Sequence, residues 1–80
     1  MIHHDCYIDA VAMRRRILDF IAANPEADYN DMILAFITPL LKDGNVEEIE
    51  LLKAQTEGVS IGMELAGEVE TVRGRLVVRS

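Results

Sequence analysis

Apolar residues recur every three or four positions through the first part of the chain and every second position near its end. That change of period predicts helices followed by strands. Ala10, Met13, Ile17, Phe20 and Ile21 share one helical stripe with Leu18 at its edge, which predicts a first helix from about Tyr7 to Ala23. Arg15, Arg16 and Asp19 fall on the opposite face, and Arg15 and Asp19, four apart, are placed to pair weakly. Asn24-Pro25 ends this helix, because proline disfavours helical geometry in the residue before it.

A second helix starts at Asp28, with Asp31 three residues on as a capping box built from a short acid. It runs through Met32, Ile33, Phe36 and Ile37 and is interrupted at Thr38-Pro39. Thr38 is suited to cap a further turn beginning at Pro39, which Asp43-Gly44 then stops. The third helix has Asn45 as its cap and Glu48 as the reciprocal acid, with Glu47, Glu48 and Glu50 where the helix dipole favours negative charge. Its inner stripe is Val46, Ile49, Leu52 and Thr56, and Gly58 is the expected C-cap.

Residues 59–66 read VSIGMELA. Ile61, Met63 and Leu65 alternate with Ser60, Gly62 and Glu64, and Gly62 weakens a helix interior. A strand is therefore favoured over a short helix capped by Ser60. At the C-terminus, a two-residue turn at Arg73-Gly74 pairs Val72 with Arg75, Thr71 with Leu76, Glu70 with Val77, Val69 with Val78 and Glu68 with Arg79. One face of that hairpin carries Val69, Thr71, Leu76 and Val78. The other carries Glu68, Glu70, Arg75 and Arg79, with Val72 and Val77. The chain thus reads as one α+β domain over 1–80, a three-helix core followed by a C-terminal antiparallel β-hairpin, with a third strand expected at 59–65.

The 80 residues are half apolar, so folding is expected. A chain this short buries only about 60–65% of its unfolded surface, which leaves stability marginal unless the core is efficient or shared. Four Met and no Trp point to a soft core. The single cysteine, Cys6, forms no intrachain disulfide and fits a reducing, cytoplasmic setting. No apolar run reaches the roughly 18–20 residues that span a bilayer. The start, MIHHDCYID, lacks the basic and apolar regions of a secretion signal.

The net charge of −6 is unevenly spread. Residues 1–23 balance three acids with three bases, residues 24–66 set nine acids against two bases, and residues 67–80 set two acids against three bases. An acidic middle repels phosphate backbones and attracts basic protein surfaces.

The order of elements, carried by RRRILDFIAANPEADYNDMILAF (14–36) and LAGEVETVRGRLVV (65–78), resembles a winged helix-turn-helix domain. The resemblance implies a dimeric DNA-binding regulator with its third helix in the major groove and the hairpin as a wing. Arg14, Arg15, Arg16, Arg73, Arg75 and Arg79 would then meet nucleic acid. The chain departs from that pattern where it matters most. The third helix offers Glu47, Glu48, Glu50 and Glu57 against one Lys53 and one Gln55, and the stretch 60–66 carries only Glu64. Each phosphate contact needs a cation, so direct DNA recognition is not expected. Without a DNA role, Arg15 and Arg16 are solvated, and Arg14 packs its stem at the stripe's edge with its head in water.

Candidate chemistry is sparse. His3, His4 and Cys6 are three possible metal ligands within four residues, but no second cluster closes a tetrahedral site. Catalysis by Cys6 would need a base and an orienting group in a pocket. No glycine-rich phosphate loop is present, and neither Ser60 nor Ser80 sits in a nucleophile motif. Neither an enzyme nor a cofactor is expected.

The distinctive feature is the run of acids. Asp31, Asp43, Glu47, Glu48, Glu50 and Glu57 form either a solvated face or a surface that docks on a basic groove of another protein, such as a nucleic-acid-binding complex. In size and charge the chain resembles small acidic phage-borne inhibitors, anti-CRISPR proteins among them, which implies inhibition of such a complex. Ile33, Phe36, Ile37, Leu40, Leu41, Leu51 and Leu52 exceed what so small a core needs, so part of this set is expected to face a partner or a second copy of the chain. A third reading is a purely structural subunit.

Overall fold

A computed structural model describes residues 9–79 of the chain. Its elements, in order, are α1 (Ala10–Ala23), α2 (Tyr29–Ile37), α3 (Leu40–Asp43), α4 (Val46–Leu65), β1 (Val69–Val72) and β2 (Arg75–Val78). The architecture is α+β, with helices leading into a C-terminal two-stranded antiparallel sheet.

Local chemistry sets most helix ends. Asp9 stands in extended backbone and its carboxylate accepts from the Ala12 amide at 2.8 Å, so α1 begins at Ala10 rather than near Tyr7. Both expected capping boxes are complete. The Asp28 carboxylate accepts from Asp31 N at 2.8 Å while Asp31 accepts from Asp28 N at 3.1 Å, and Asn45 and Glu48 repeat the exchange at the same two distances. Thr38 differs from expectation. It keeps helical backbone angles, and its hydroxyl donates back to the Leu34 carbonyl at 2.5 Å, so Pro39 rather than Thr38 occupies the cap position of α3. Gly44 ends α3 where the chain passes close to itself, because a Cβ there would lie 2.6 Å from the Leu40 carbonyl oxygen.

The largest correction concerns residues 58–66. Gly58 does not cap a helix and 59–65 form no strand, because α4 continues unbroken for 20 residues. Leu52, Thr56, Ser60 and Met63 are buried along one face, with Val59 packed beside them. The alternation that suggested a strand splits in space: Met63 is buried, while Ile61 is 49% and Leu65 85% exposed. Burying Met63 on the stripe already begun by Leu52 outweighs the cost of two glycines, about 1 kcal/mol each. The true end is a Schellman motif at Gly67 (φ 81°), in which Glu68 N donates to the Met63 carbonyl at 2.9 Å and Gly67 N to that of Glu64 at 3.0 Å. Val46, assigned to the inner stripe, is exposed.

The hairpin register is the expected one, Val69 with Val78 through Val72 with Arg75. Arg73 (φ 55°) and Gly74 (φ 80°) both have positive φ, as a type I′ turn requires. The Glu68–Arg79 pair is made by backbone only, through Arg79 N to the Glu68 carbonyl at 2.9 Å. Of the expected core face, Val69 is buried and Leu76 packs on the core, whereas Thr71 and Val78 are exposed.

The core is Met13 and Ile17 of α1, Met32 and Phe36 of α2, Leu52 and Met63 of α4, and Val69 of β1. Phe20 meets Phe36 edge to face at 5.8 Å between ring centroids. The hairpin lies along α1 and is fixed at both ends. Arg14 Nε donates to Glu68 Oε1 at 2.7 Å near its base, and at its tip Tyr29 N donates to the Gly74 carbonyl at 2.8 Å.

Three substitutions test these backbone assignments. Gly58→Ala with Gly62→Ala places methyl groups where nothing lies within 4 Å, and should stabilise the fold by about 0.5–1 kcal/mol each in chemical denaturation. Arg73→Asn relieves a left-handed arginine and should add roughly 0.5–1 kcal/mol, with the hairpin amide shifts unchanged in register.

Candidate protein-docking surface

The six acids singled out in the sequence divide into two groups. Asp31 and Glu48 are engaged in capping boxes, so their carboxylates serve helix starts. Asp43 closes α3, and Glu47, Glu50 and Glu57 stand exposed on α4. A fourth exposed acid, Glu64, joins them because α4 continues to Leu65. Glu50, Glu57 and Glu64 are seven residues apart, which keeps them within about 40° of one another around the helix and spreads them over about 21 Å. Lys53 reaches Glu50 Oε2 at 3.5 Å in an exposed i,i+3 pair that screens one acid weakly. Thr71 Oγ1 donates to Glu64 Oε2 at 3.0 Å and orients that carboxylate.

The arginines do not gather. The run at 14–16 splits three ways. Arg14 pairs with Glu68, which holds its guanidinium more firmly protonated, first through the hydrogen bond and then through charge. Arg16, expected in solvent, lies over the Phe36 ring at 4.2 Å, and burial lowers its pKa. Arg15 is exposed, and its expected pair with Asp19 is not among the ion pairs of the described residues. At the tip of the hairpin, Arg75 Nη1 donates to the Pro25 carbonyl at 3.3 Å and Arg73 is exposed, while Arg79 is exposed at the base, opposite Glu68. About 14 Å of α1 separates Arg14 from the helix end that leads into Pro25, so Arg14 and Arg75 lie at opposite ends of the hairpin.

Phe20, Asn24, Asp28, Tyr29, Met32 and Leu76 surround a hollow of about 10 Å³, enough for one water. Among the described residues no three His, Cys, Asp or Glu stand close enough to hold a metal, and no helix is long and apolar enough to cross a membrane. His3, His4 and Cys6 lie outside the described residues.

Polar atoms are also left over inside. The hydroxyls of Tyr29 and Ser60 and the Gln55 Oε1 are buried without a hydrogen-bond partner. Burial raises the Tyr29 phenol pKa and the Glu57 charge adds to it. Ser60 comes near enough to draw that value partly back, but neither hydroxyl completes a bond of good geometry.

Sequence reasoning missed Glu64 because the alternation at 59–65 predicts a strand there, and the signal that finds it is the seven-residue recurrence from Glu50 through Glu57. Ser60→Ala removes an unsatisfied hydroxyl from a helix interior and should leave stability unchanged or raise it by up to about 1 kcal/mol, read from the denaturation midpoint. No family model, curated protein or solved structure matches this chain, so a functional reading rests on its own geometry.

Proposed function

We propose that this protein is a non-enzymatic binding module whose acidic α4 docks on a basic surface of another protein. The observation that carries this reading is the line of Glu50, Glu57 and Glu64, with Glu47 beside it, on the exposed side of one helix. Aligned carboxylates steer a cationic partner, and the attraction is strongest where both surfaces are desolvated. A groove built for nucleic acid is such a partner, so the module would act as an inhibitor or regulator of a nucleic-acid-handling complex, in the manner of small acidic phage inhibitors. The lone Cys6 fits a cytoplasmic setting.

The second reading, a dimeric winged-helix regulator, is disfavoured by how the arginines are used. Arg14, Arg16 and Arg75 already have partners within the fold, and the wing tip is fixed to the start of α2 rather than projecting. An α4 entering a major groove would set four glutamates among phosphates.

Two measurements decide. Fluorescence anisotropy with a generic labelled duplex at low salt should show no saturable binding at high micromolar protein. Salt-sensitive binding lost in Arg73→Ala/Arg75→Ala would transfer the function to DNA. Affinity capture with wild type and with Glu47→Gln/Glu50→Gln/Glu57→Gln should then retain a set of basic proteins on the wild type alone. Equal retention by both would sink the acidic docking surface.

A further inference from the structure

The same helix carries a second pattern beside its acids. Leu51, Ala54, Gly58, Ile61 and Leu65 follow one another at spacings of three, four, three and four, and all face solvent. That is the spacing of a two-helix coiled-coil seam, with no second helix lying against it among the described residues. The three large residues are conspicuously open: Leu51 is 40%, Ile61 49% and Leu65 85% exposed. Five seam positions span about 21 Å, the length of a partner helix of about 14 residues.

The relief of the surface also suits a helix. Gly58 and Gly62 form the floor of an open groove of about 390 Å³, walled on the far side by Ala10 and Val11 of α1. With no side chain at either glycine, a second backbone can approach closely, as helix pairs with small interface residues do. Val11, 79% exposed, gives that wall an apolar edge.

The charges at the flanks decide between occupants. Glu50, Glu57 and Glu64 each stand one position before a seam residue, along the flank away from α1, and the opposite flank offers Gln55 and Gly62. If a second copy of the chain supplied its own α4 in parallel, those glutamates would face Gln55 and Gly62, with nothing to attract them. In antiparallel pairing they would face one another. Neither arrangement sets a cation of α4 against them, and Arg14, which lines the groove, is already paired with Glu68; a helix with Lys or Arg on its flank provides three.

We propose that the exposed seam of α4 receives one amphipathic helix of the partner protein, with apolar residues at alternating three- and four-residue spacing and a basic flank against Glu50, Glu57 and Glu64. This rests on the acidic docking reading and gives it a shape. The apolar seam supplies the affinity and sets the register, and the glutamates supply orientation and selectivity. The two glycines gain a role as well, since they lower helix stability in exchange for room.

The test uses the intact protein and two synthetic peptides of about 21 residues. One has Leu at the seam positions and Lys on both flanks, and the other scrambles the same composition so that no apolar face forms. Titration by calorimetry should give micromolar binding of the patterned peptide and at least about tenfold weaker binding of the scrambled one. Ile61→Asp/Leu65→Asp, two exposed sites whose change should leave the circular dichroism spectrum intact, should weaken patterned binding by about tenfold or more. Equal binding of both peptides would overturn the seam and leave the acidic surface standing. Failure of both peptides to bind would overturn the two readings together. A wild-type dimer in sedimentation that Ile61→Asp/Leu65→Asp converts to monomer would assign the seam to a second copy instead. Nuclear Overhauser contacts from Ile2 or Ile8 methyls to Gly58 or Gly62 in the free protein would assign it to the chain's own start and likewise overturn the proposal.

Discussion

The contact between α1 and α4 is the constraint on which the other elements depend. Met13 and Ile17 are wholly buried, and Thr56 meets Met13 from α4 with its hydroxyl 3.8 Å from the Met13 sulfur. The same hydroxyl donates to the Leu52 carbonyl at 2.7 Å, so a polar residue sits at the centre of the core with its proton placed. Around this contact the remaining pieces have little freedom. α2 closes one side through Met32 and Phe36, and the hairpin closes another through Val69 and Leu76. With so few buried side chains, no element has an independent core of its own.

That economy explains which parts of the fold were legible in the residues. Capping boxes at Asp28 and Asn45, the end at Asn24 and the hairpin register all follow from interactions within a few positions, and local patterns report them well. The stretch 59–65 was not legible by the same means. Met63 belongs both to an alternating set and to a helical one, and only the stripe already buried at Leu52 and Thr56 decides between them. A glycine was rightly expected at a helix end, but that glycine is Gly67, nine residues beyond Gly58.

The charged residues divide along similar lines. Asp31 and Glu48 were expected on a docking surface and serve as caps, which the box pattern itself foretold. The arginines were less legible, because their partners are distant in sequence: Glu68 for Arg14, Phe36 for Arg16 and the Pro25 carbonyl for Arg75. A run of three arginines therefore gives three separate environments, since successive helical residues point about 100° apart. Glu64 lies in the acidic line because α4 runs to Leu65, so the site and the fold depart from the local sequence pattern at the same place.

The bond from Tyr29 N to the Gly74 carbonyl changes what kind of loop the hairpin turn is. Turn tips are ordinarily the places where a chain accepts new ends or inserted domains. Here the tip is an acceptor for the first amide of α2, beside the Asp28 box that starts the same helix. Opening the chain between Arg73 and Gly74 would thus disturb a helix start more than forty residues upstream, and a circular permutant cut there would be a poor scaffold. In this molecule the final hairpin is a fastening for the second helix as much as an appendage to the first.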